Sequence, residues 1–179
     1  MPKVSATNKE TLISGAINVL HEAKDMDGLT VDVLASQLRM SKSTLYKHFD
    51  GLDDLAYAAV EHLCVQTEDD LANMFTAGTP MDTFLDVAGL YGRYAARIPV
   101  SLCVQRHKIP SAARIRLKNT EDRLGERMFR AVSGTGASSA VAYGIRAAYK
   151  GLLRYLRTVQ RESRAGQVAD LTAALRRAL

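Results

Sequence analysis

The chain has 179 residues, 47 % hydrophobic and 24 % charged, with a formal net charge of +5. That is the profile of a globular protein with one core or two small ones, and no stretch approaches the ~18–20 consecutive apolar residues of a membrane span. The first ten residues lack the apolar core of a secretory signal, and Cys64 and Cys103 form no C-x-x-C pair, so a reducing cytoplasm is the expected location.

The basic surplus is unevenly placed. Residues 1–55 hold six Lys/Arg against eight Asp/Glu, so the excess of positive charge lies in the remainder. Between residues 33 and 49, however, Arg39, Lys42, Lys47 and His48 occur with no acid among them. Phosphate contacts act within a Debye length of ~10 Å, so this local sorting bears on nucleic-acid binding more than the total does.

The pattern is helical from end to end. Leu12, Ile13, Ala16, Ile17 and Leu20 recur at helical spacing and predict a first helix over about 8–24, ended by the turn at Asp25–Gly28. Thr30 is an N-cap for a short second helix through Leu38, with Asp32 in its first turn favoured by the helix dipole. Ser41 caps a third, ending near His48. Gly51 caps a fourth, in which Asp53 and Asp54 sit at the positive end and Leu52, Leu55, Ala59 and Leu63 share a face.

After Ala77–Pro80 the spacing predicts helices near 81–97 and 100–107, broken by Pro99, and another over about 111–132, ending at Ser133–Gly136. Two more follow, about 138–163 and 167–178, separated by Gly166. No alternating β-branched run is long enough for a strand. The predicted fold is all-α with about nine helices: an N-terminal three-helix bundle in residues 1–51 and a helical domain in residues 52–179.

The second and third helices fit a helix-turn-helix. Such a motif needs a small residue where the backbones approach, supplied by Ala35, and a tight turn, here Arg39-Met40-Ser41. It needs apolar anchors, for which Leu34, Leu38, Leu45 and Phe49 stand at helical offsets. The outward face of the second helix must be polar to read the ~12 Å-wide major groove, and Lys42, Ser43, Thr44, Tyr46, Lys47 and His48 are.

The segment Leu29–Phe49, with its Ser-Lys-x-Thr-Leu-Tyr-x-His-Phe core at Ser41–Phe49, followed by Gly51-Leu-Asp-Asp-Leu55, resembles the N-terminal signature of TetR-family transcriptional regulators. The resemblance spans residues 9–63. It implies base contacts from Lys42, Ser43 and Tyr46, and phosphate contacts from Thr30, Thr44, Tyr46, Lys47 and His48. It further implies that the last two helices pair with a second copy in a four-helix dimer interface, and that the middle helices enclose a pocket for a small-molecule effector.

Two positions depart from the family pattern. Glycine usually stands in the turn, where a left-handed residue is easiest, and here it is Arg39, at a cost of about 1–2 kcal/mol if the backbone is kept. Lysine usually opens the fourth helix against a phosphate, and here it is Leu52.

Tyr91, Tyr94, Cys103, Tyr143 and Tyr149 are candidates to line the effector pocket, although the same residues suit an ordinary core. Lys150, Arg154, Arg157, Arg161 and Arg164 step by 4, 3, 4 and 3 and predict one basic stripe, beside an apolar face of Ile145, Ala148, Leu152, Leu156 and Val159. Val168, Leu171, Leu175 and Ala178 give the last helix an apolar stripe. No metal-ligand spacing, phosphate loop or nucleophile–base arrangement is found, so no cofactor and no catalytic residue are expected. The expected function is a sequence-specific DNA-binding regulator: a homodimeric repressor released by a small molecule, with double-stranded operator DNA as partner. The alternative is a helical small-molecule-binding protein with weakened or lost DNA recognition, motivated by Arg39, Leu52 and the acidic balance of residues 1–55.

Overall fold

The computed structural model describes residues 9–22, 29–74, 78–99, 102, 108–156 and 161–178. Among these residues there are eight helices and no strand: α1 (Lys9–Glu22), α2 (Val31–Gln37), α3 (Lys42–Tyr46), α4 (Leu52–Ala72), α5 (Pro80–Arg97), α6 (Ser111–Gly134), α7 (Ser139–Leu156) and α8 (Arg161–Ala178). The expected helix near 100–107 lies outside the described residues except for Leu102, which is buried. No helix among the described residues is long and apolar enough to cross a membrane.

The helix starts are chemically specified. Thr30 accepts a hydrogen bond from the Val33 amide at 3.2 Å, and Ser41 accepts one from Thr44 at 3.2 Å. Each side chain thereby satisfies an amide that the first helical turn leaves without a partner. At α5 the Thr79 hydroxyl accepts from the Asp82 amide while the Asp82 carboxylate accepts from the Thr79 amide, with Pro80 at the first helical position. That reciprocal capping box fixes where the chain re-enters a helix.

Helix α4 is shared between two groups of neighbours. It packs against α1 on one side and against α5 and α6 on the other. Helix α5 lies at the centre of the second group, in contact with α4, α6, α7 and α8, and it contributes Phe84, Leu90, Tyr91 and Tyr94 to the largest fully buried side chains. The joint between α4 and α6 is ionic where it is partly buried. Arg116 on α6 donates from Nε to Glu61 at 2.7 Å and grips Glu68 with both terminal nitrogens, at 2.5 and 3.0 Å. Arg123 reaches the same Glu68 at 3.0 Å, and the Thr120 hydroxyl donates to it at 3.2 Å. The Arg116 hydrogen bonds hold the Glu68 carboxyl below the ordinary carboxylate range. Cys64 is buried beside this cluster, and burial pushes its thiol up, away from the reactive thiolate.

The end of the chain departs from the sequence expectation. Helix α7 is described as far as Leu156, residues 157–160 lie outside the described residues, and Gly166 lies inside α8 rather than between two helices. An interior glycine costs a helix only about 1 kcal/mol relative to alanine. Packing outweighs that cost here: Val168 is buried against α5, where a Cβ placed on Gly92 would meet it at 3.6 Å, and Leu171 and Leu175 pack half-buried on the core. The predicted basic stripe is therefore divided, with Lys150 and Arg154 on α7, Arg161 and Arg164 on α8, and Arg157 outside the described residues. Lys150 is ion-paired with Asp122 at 2.6 Å, and the hydrogen bonds from Lys118 and Lys150 hold the Asp122 carboxyl at about 2.

The Glu68 shift gives stability a defined acid limb. A depressed folded-state value means that the stabilisation is present above the unfolded value near 4.3 and is lost as the pH falls toward the folded value. The melting temperature should therefore drop steeply below about pH 4.3. Glu68→Gln should cost about 1–2 kcal/mol at pH 7 and flatten that acid limb. Circular-dichroism melts of both proteins at neutral pH and near pH 3.5 measure this, and parallel acid limbs would refute it.

Candidate nucleic-acid interface

The outer surface of α2 and α3 is built on a small buried frame. Leu34 and Ala35 of α2, Leu45 of α3 and Phe49 after it are buried with Leu12, Ala16 and Leu20 of α1. Leu38, at the end of α2, lies over Gly15 of α1 so closely that a Cβ there would meet its Cδ2 at 2.6 Å. A glycine is needed at that crossing unless Leu38 turns aside.

Two backbone hydrogen bonds close the turn between the two helices. The Met40 amide donates to the Ala35 carbonyl at 2.9 Å, and the Arg39 amide to the Ser36 carbonyl at 3.1 Å. This pair is the Schellman arrangement, which requires a left-handed residue between helix and exit. Arg39 occupies that place with φ of +52°, alone among the described non-glycine residues in having a positive φ. Ser41 then starts α3 at once, and its hydroxyl lies 2.8 Å from both the Ser43 and the Thr44 hydroxyls. The position of α3 relative to α2 is thus set by backbone bonds and a three-hydroxyl cluster.

With Leu45 and Phe49 turned inward, Lys42, Ser43, Tyr46 and Lys47 are exposed, Tyr46 at 55 % of its full area. Thr44 and His48 are half-buried, and the His48 ring lies 6.5 Å from that of Phe49. Phe49 also carries the Lys9 ammonium 5.1 Å above its ring, a contact that ties the start of α1 to the end of the motif. Thr30 is exposed at the start of α2. Apart from His48 and Thr44, the expected contact residues are exposed.

Asp32 was not among the expected site residues, although it stands beside them. Its carboxylate pairs with Lys42, and this contact raises the lysine above its ordinary value. Both side chains are more than half exposed, so the pair is weak and replaceable. Its position ten residues before Lys42 carries no helical periodicity, because the turn intervenes; only the folded motif brings the two together. Leu52 is half-buried against the core at the start of α4.

The residues considered for an effector pocket are dispersed. Tyr91, Tyr94 and Tyr149 are fully buried core residues; Tyr91 and Tyr149 have ring centroids 5.1 Å apart, and the Tyr149 hydroxyl lies 2.6 Å from that of Thr172. Tyr143 is 58 % exposed, with its ring against Phe129 at 4.6 Å. Cys103 lies outside the described residues. Two hollows exist elsewhere. One of about 830 Å³ lies between α5 and α8, bounded by Leu85, Gly89, Ala169 and Thr172. The other, about 660 Å³, lies between α4 and α6 and includes Leu71, Met74, Arg123 and Arg127. None of the four described tyrosines borders either.

Comparison with known proteins agrees with this architecture. Residues 12–59 match the family model of bacterial regulatory proteins of the tetR family. An HTH-type transcriptional regulator of Mycobacterium tuberculosis, itself uncharacterised, is 33 % identical over 96 residues, which are 51 % of this chain and 42 % of that protein. The match thus spans less than half of that relative's length. A crystal structure of a protein assigned to the TetR family, from Rhodococcus sp., superposes with a TM-score of 0.67 at 15 % identity, covering 94 % of this chain and 98 % of that one. A regulatory protein TetR from Rhodobacter sphaeroides gives 0.70 at 18 % identity, covering 96 % and 98 %. At these identities the solved structures establish the fold.

Two substitutions test the frame. Arg39→Gly should raise stability by about 0.5–1 kcal/mol, since glycine adopts the left-handed conformation without a Cβ clash, partly offset by its greater freedom in the unfolded chain. A melting temperature unchanged or lowered would contradict the strain. Asp32→Asn should tighten binding to duplex DNA roughly two- to fivefold at ~150 mM salt, because a carboxylate near the phosphates is removed and Lys42 is released. Fluorescence anisotropy with labelled DNA measures it, and weaker binding would show that Asp32 positions Lys42 productively.

Proposed function

We propose that this chain, whose residues 12–59 match the tetR family model, is a TetR-family transcriptional regulator: a homodimeric repressor of a palindromic operator, released by a small-molecule effector. The observation that carries the reading is the surface of α3. Lys42, Ser43 and Tyr46 point out from a helix whose other face, Leu45 with Phe49 beyond it, is buried, and whose start is fixed by Ser41. In this reading residues 1–51 bind DNA and residues 52–179 bind the effector and the second copy.

Lys42, Ser43 and Tyr46 reach base edges in the major groove. A lysine ammonium matches the guanine O6 and N7 acceptors, and a tyrosine presents both a hydroxyl and an apolar ring edge. Thr30, Thr44, Lys47 and His48, with the Tyr46 hydroxyl, hold the phosphates and set the register. The positive N-terminal ends of the α2 and α3 dipoles favour the same anionic backbone. The site of action is the cytoplasm, where chromosomal DNA is accessible.

Two half-sites require two heads at a fixed separation, and the outer row of α7 supports a place for the contact. Val141, Gly144, Ala148, Gly151 and Tyr155 recur at steps of 3, 4, 3 and 4, carry no charge and are exposed. Nothing lies within 4 Å of a Cβ built on Gly144 or Gly151, so a second helix can approach closely there. This row shares Ala148 with the stripes that sequence periodicity offered for the dimer, but Ile145 and Val168 of those stripes are buried within the protomer. Effector control is a linkage: a ligand that binds more tightly to the conformation with the wrong head separation lowers operator affinity by the same factor by which DNA lowers ligand affinity.

Selection of bound duplexes from a random pool should return a palindrome, and Tyr46→Ala should reduce affinity for it by roughly 10–100-fold while leaving the helical circular-dichroism spectrum intact. Binding no tighter than to random DNA at ~150 mM salt would remove the regulator reading in favour of a ligand-binding protein without DNA recognition. Sedimentation velocity addresses the second copy: Gly151→Arg should shift the protein toward monomer, and an unchanged dimer would move the interface elsewhere.

A further inference from the structure

Helix α6 carries a polar row facing α4. Arg116, Thr120, Arg123, Arg127 and Arg130 follow one another at steps of 4, 3, 4 and 3, so they share a face. On α4, Glu61 and Glu68 are seven residues apart and answer the lower part of this row. One turn further on, the same face of α4 presents Leu71 and Ala72, and the acids run out. What lies there instead is the hollow of about 660 Å³, with Leu71, Ala72 and Met74 on its α4 side and Arg123, Arg127 and Arg130 on its α6 side. A smaller hollow of about 260 Å³, reaching Pro80 and Thr83, also borders Arg127 and Arg130.

The charges do not balance. Glu68 is taken by Arg116 and Arg123, and Glu126, which also borders the hollow, by Arg130 at 3.3 Å and Arg146 at 3.6 Å. Arg127 is in no ion pair among the described residues, and its Nε is buried without a hydrogen-bond partner. A guanidinium nitrogen withdrawn from water without an acceptor is costly, and a carboxylate or phosphate answers it with the planar, two-pronged match that arginine favours. The apolar α4 wall beside it suits a hydrocarbon tail, and the volume is in the range of small-ligand sites. The larger hollow between α5 and α8 lacks this feature, since its arginines, Arg93, Arg176 and Arg177, are all exposed.

We propose that the hollow between α4 and α6 is the effector site and that its ligand is a small organic anion, a carboxylate or phosphate monoester with a short apolar tail, held by Arg127. The assignment as effector rests on the DNA-binding reading above; the anion site itself does not. An anion at Arg127 also draws on Arg123 and Arg130, and so competes with Glu68 and Glu126 for their guanidinium groups. Because α4 contacts both α1 and α6, occupation of this joint bears on the placement of the DNA-binding helices.

Isothermal titration calorimetry with octanoate, octyl phosphate, inorganic phosphate and octanol tests the proposal. The expected result is that octanoate or octyl phosphate binds more tightly than inorganic phosphate or octanol, the better of the two identifying the head group. Arg127→Gln should weaken that binding by at least roughly tenfold, and Arg127→Lys, which keeps the charge but loses the fork, by less. Arg114→Gln, an exposed arginine on the same helix, should change nothing. Melting curves confirm that each variant is folded, and the lysine variant keeps the test decisive if the glutamine variant is not. In the same preparations, the bound anion should shift operator affinity of the wild type and not of Arg127→Gln. Absence of binding by both octyl anions, or equal binding to all variants, overturns the site. Binding that leaves the affinity of a DNA-competent wild type unchanged overturns the effector role. Arg127-dependent binding in a protein that recognises no DNA supports the site and removes the regulator reading instead.

Discussion

Helix α4 has to be buried by two different sets of partners, and most of the architecture follows from that constraint. Its 21 residues carry Leu55, Ala59, Val60 and Leu63 into the core and also present Glu61, Glu68 and Asp70 to basic side chains. No single neighbouring helix serves all of these. Helix α1 covers one side, α6 meets the acids through Arg116, and α5 answers Asp70 with Arg97 at 2.7 Å. The apolar contacts are non-directional and supply most of the stabilisation; the guanidinium pairs are directional and fix how α6 slides along α4. A helix held this way transmits displacement, because a shift at one end cannot be absorbed without repacking at the other.

The nucleic-acid surface shows the complementary strategy. Its helices are too short to be stable alone, α2 having seven residues and α3 five. They persist because their ends are satisfied and their inner faces are buried. Thr30 and Ser41 cap the starts, the Met40 and Arg39 amides close the end of α2, and Leu34, Leu45 and Phe49 anchor the inside. Strain is accepted at a single described side chain, Arg39, where glycine would sit more easily. The result is an outer face whose side chains are presented by a backbone that is already ordered, so little conformational entropy remains to be lost when a ligand surface is met.

Local sequence chemistry was sufficient wherever the determining contacts are close along the chain. The caps at Thr30 and Ser41, the left-handed turn at Arg39, the inward direction of Leu45 and Phe49 and the outward direction of Tyr46 are all consequences of residues within a few positions of one another. The all-helical class and the starts of α2 to α5 follow from the same spacing rules. Less was readable in the C-terminal region. Gly166 is a helix breaker by local rules, yet it lies within α8 because Val168, two residues on, is buried against α5. The periodicity of α6 contained the Arg116–Arg130 row in plain view, but its meaning depends on the acids of α4, about fifty residues away in sequence.

The amino-acid order by itself thus determined the helical class, the capped helix-turn-helix and its polar outer face, because capping, turn chemistry and 3.6-residue periodicity act over a few bonds. Only the tertiary structure decided which apolar stripes are consumed by the core, that Lys42 pairs with Asp32 across the turn, and that Arg127 lies beside an apolar hollow without an acceptor. Those outcomes depend on which helices become neighbours. That choice is made by summed burial over the whole chain, to which no local pattern has access.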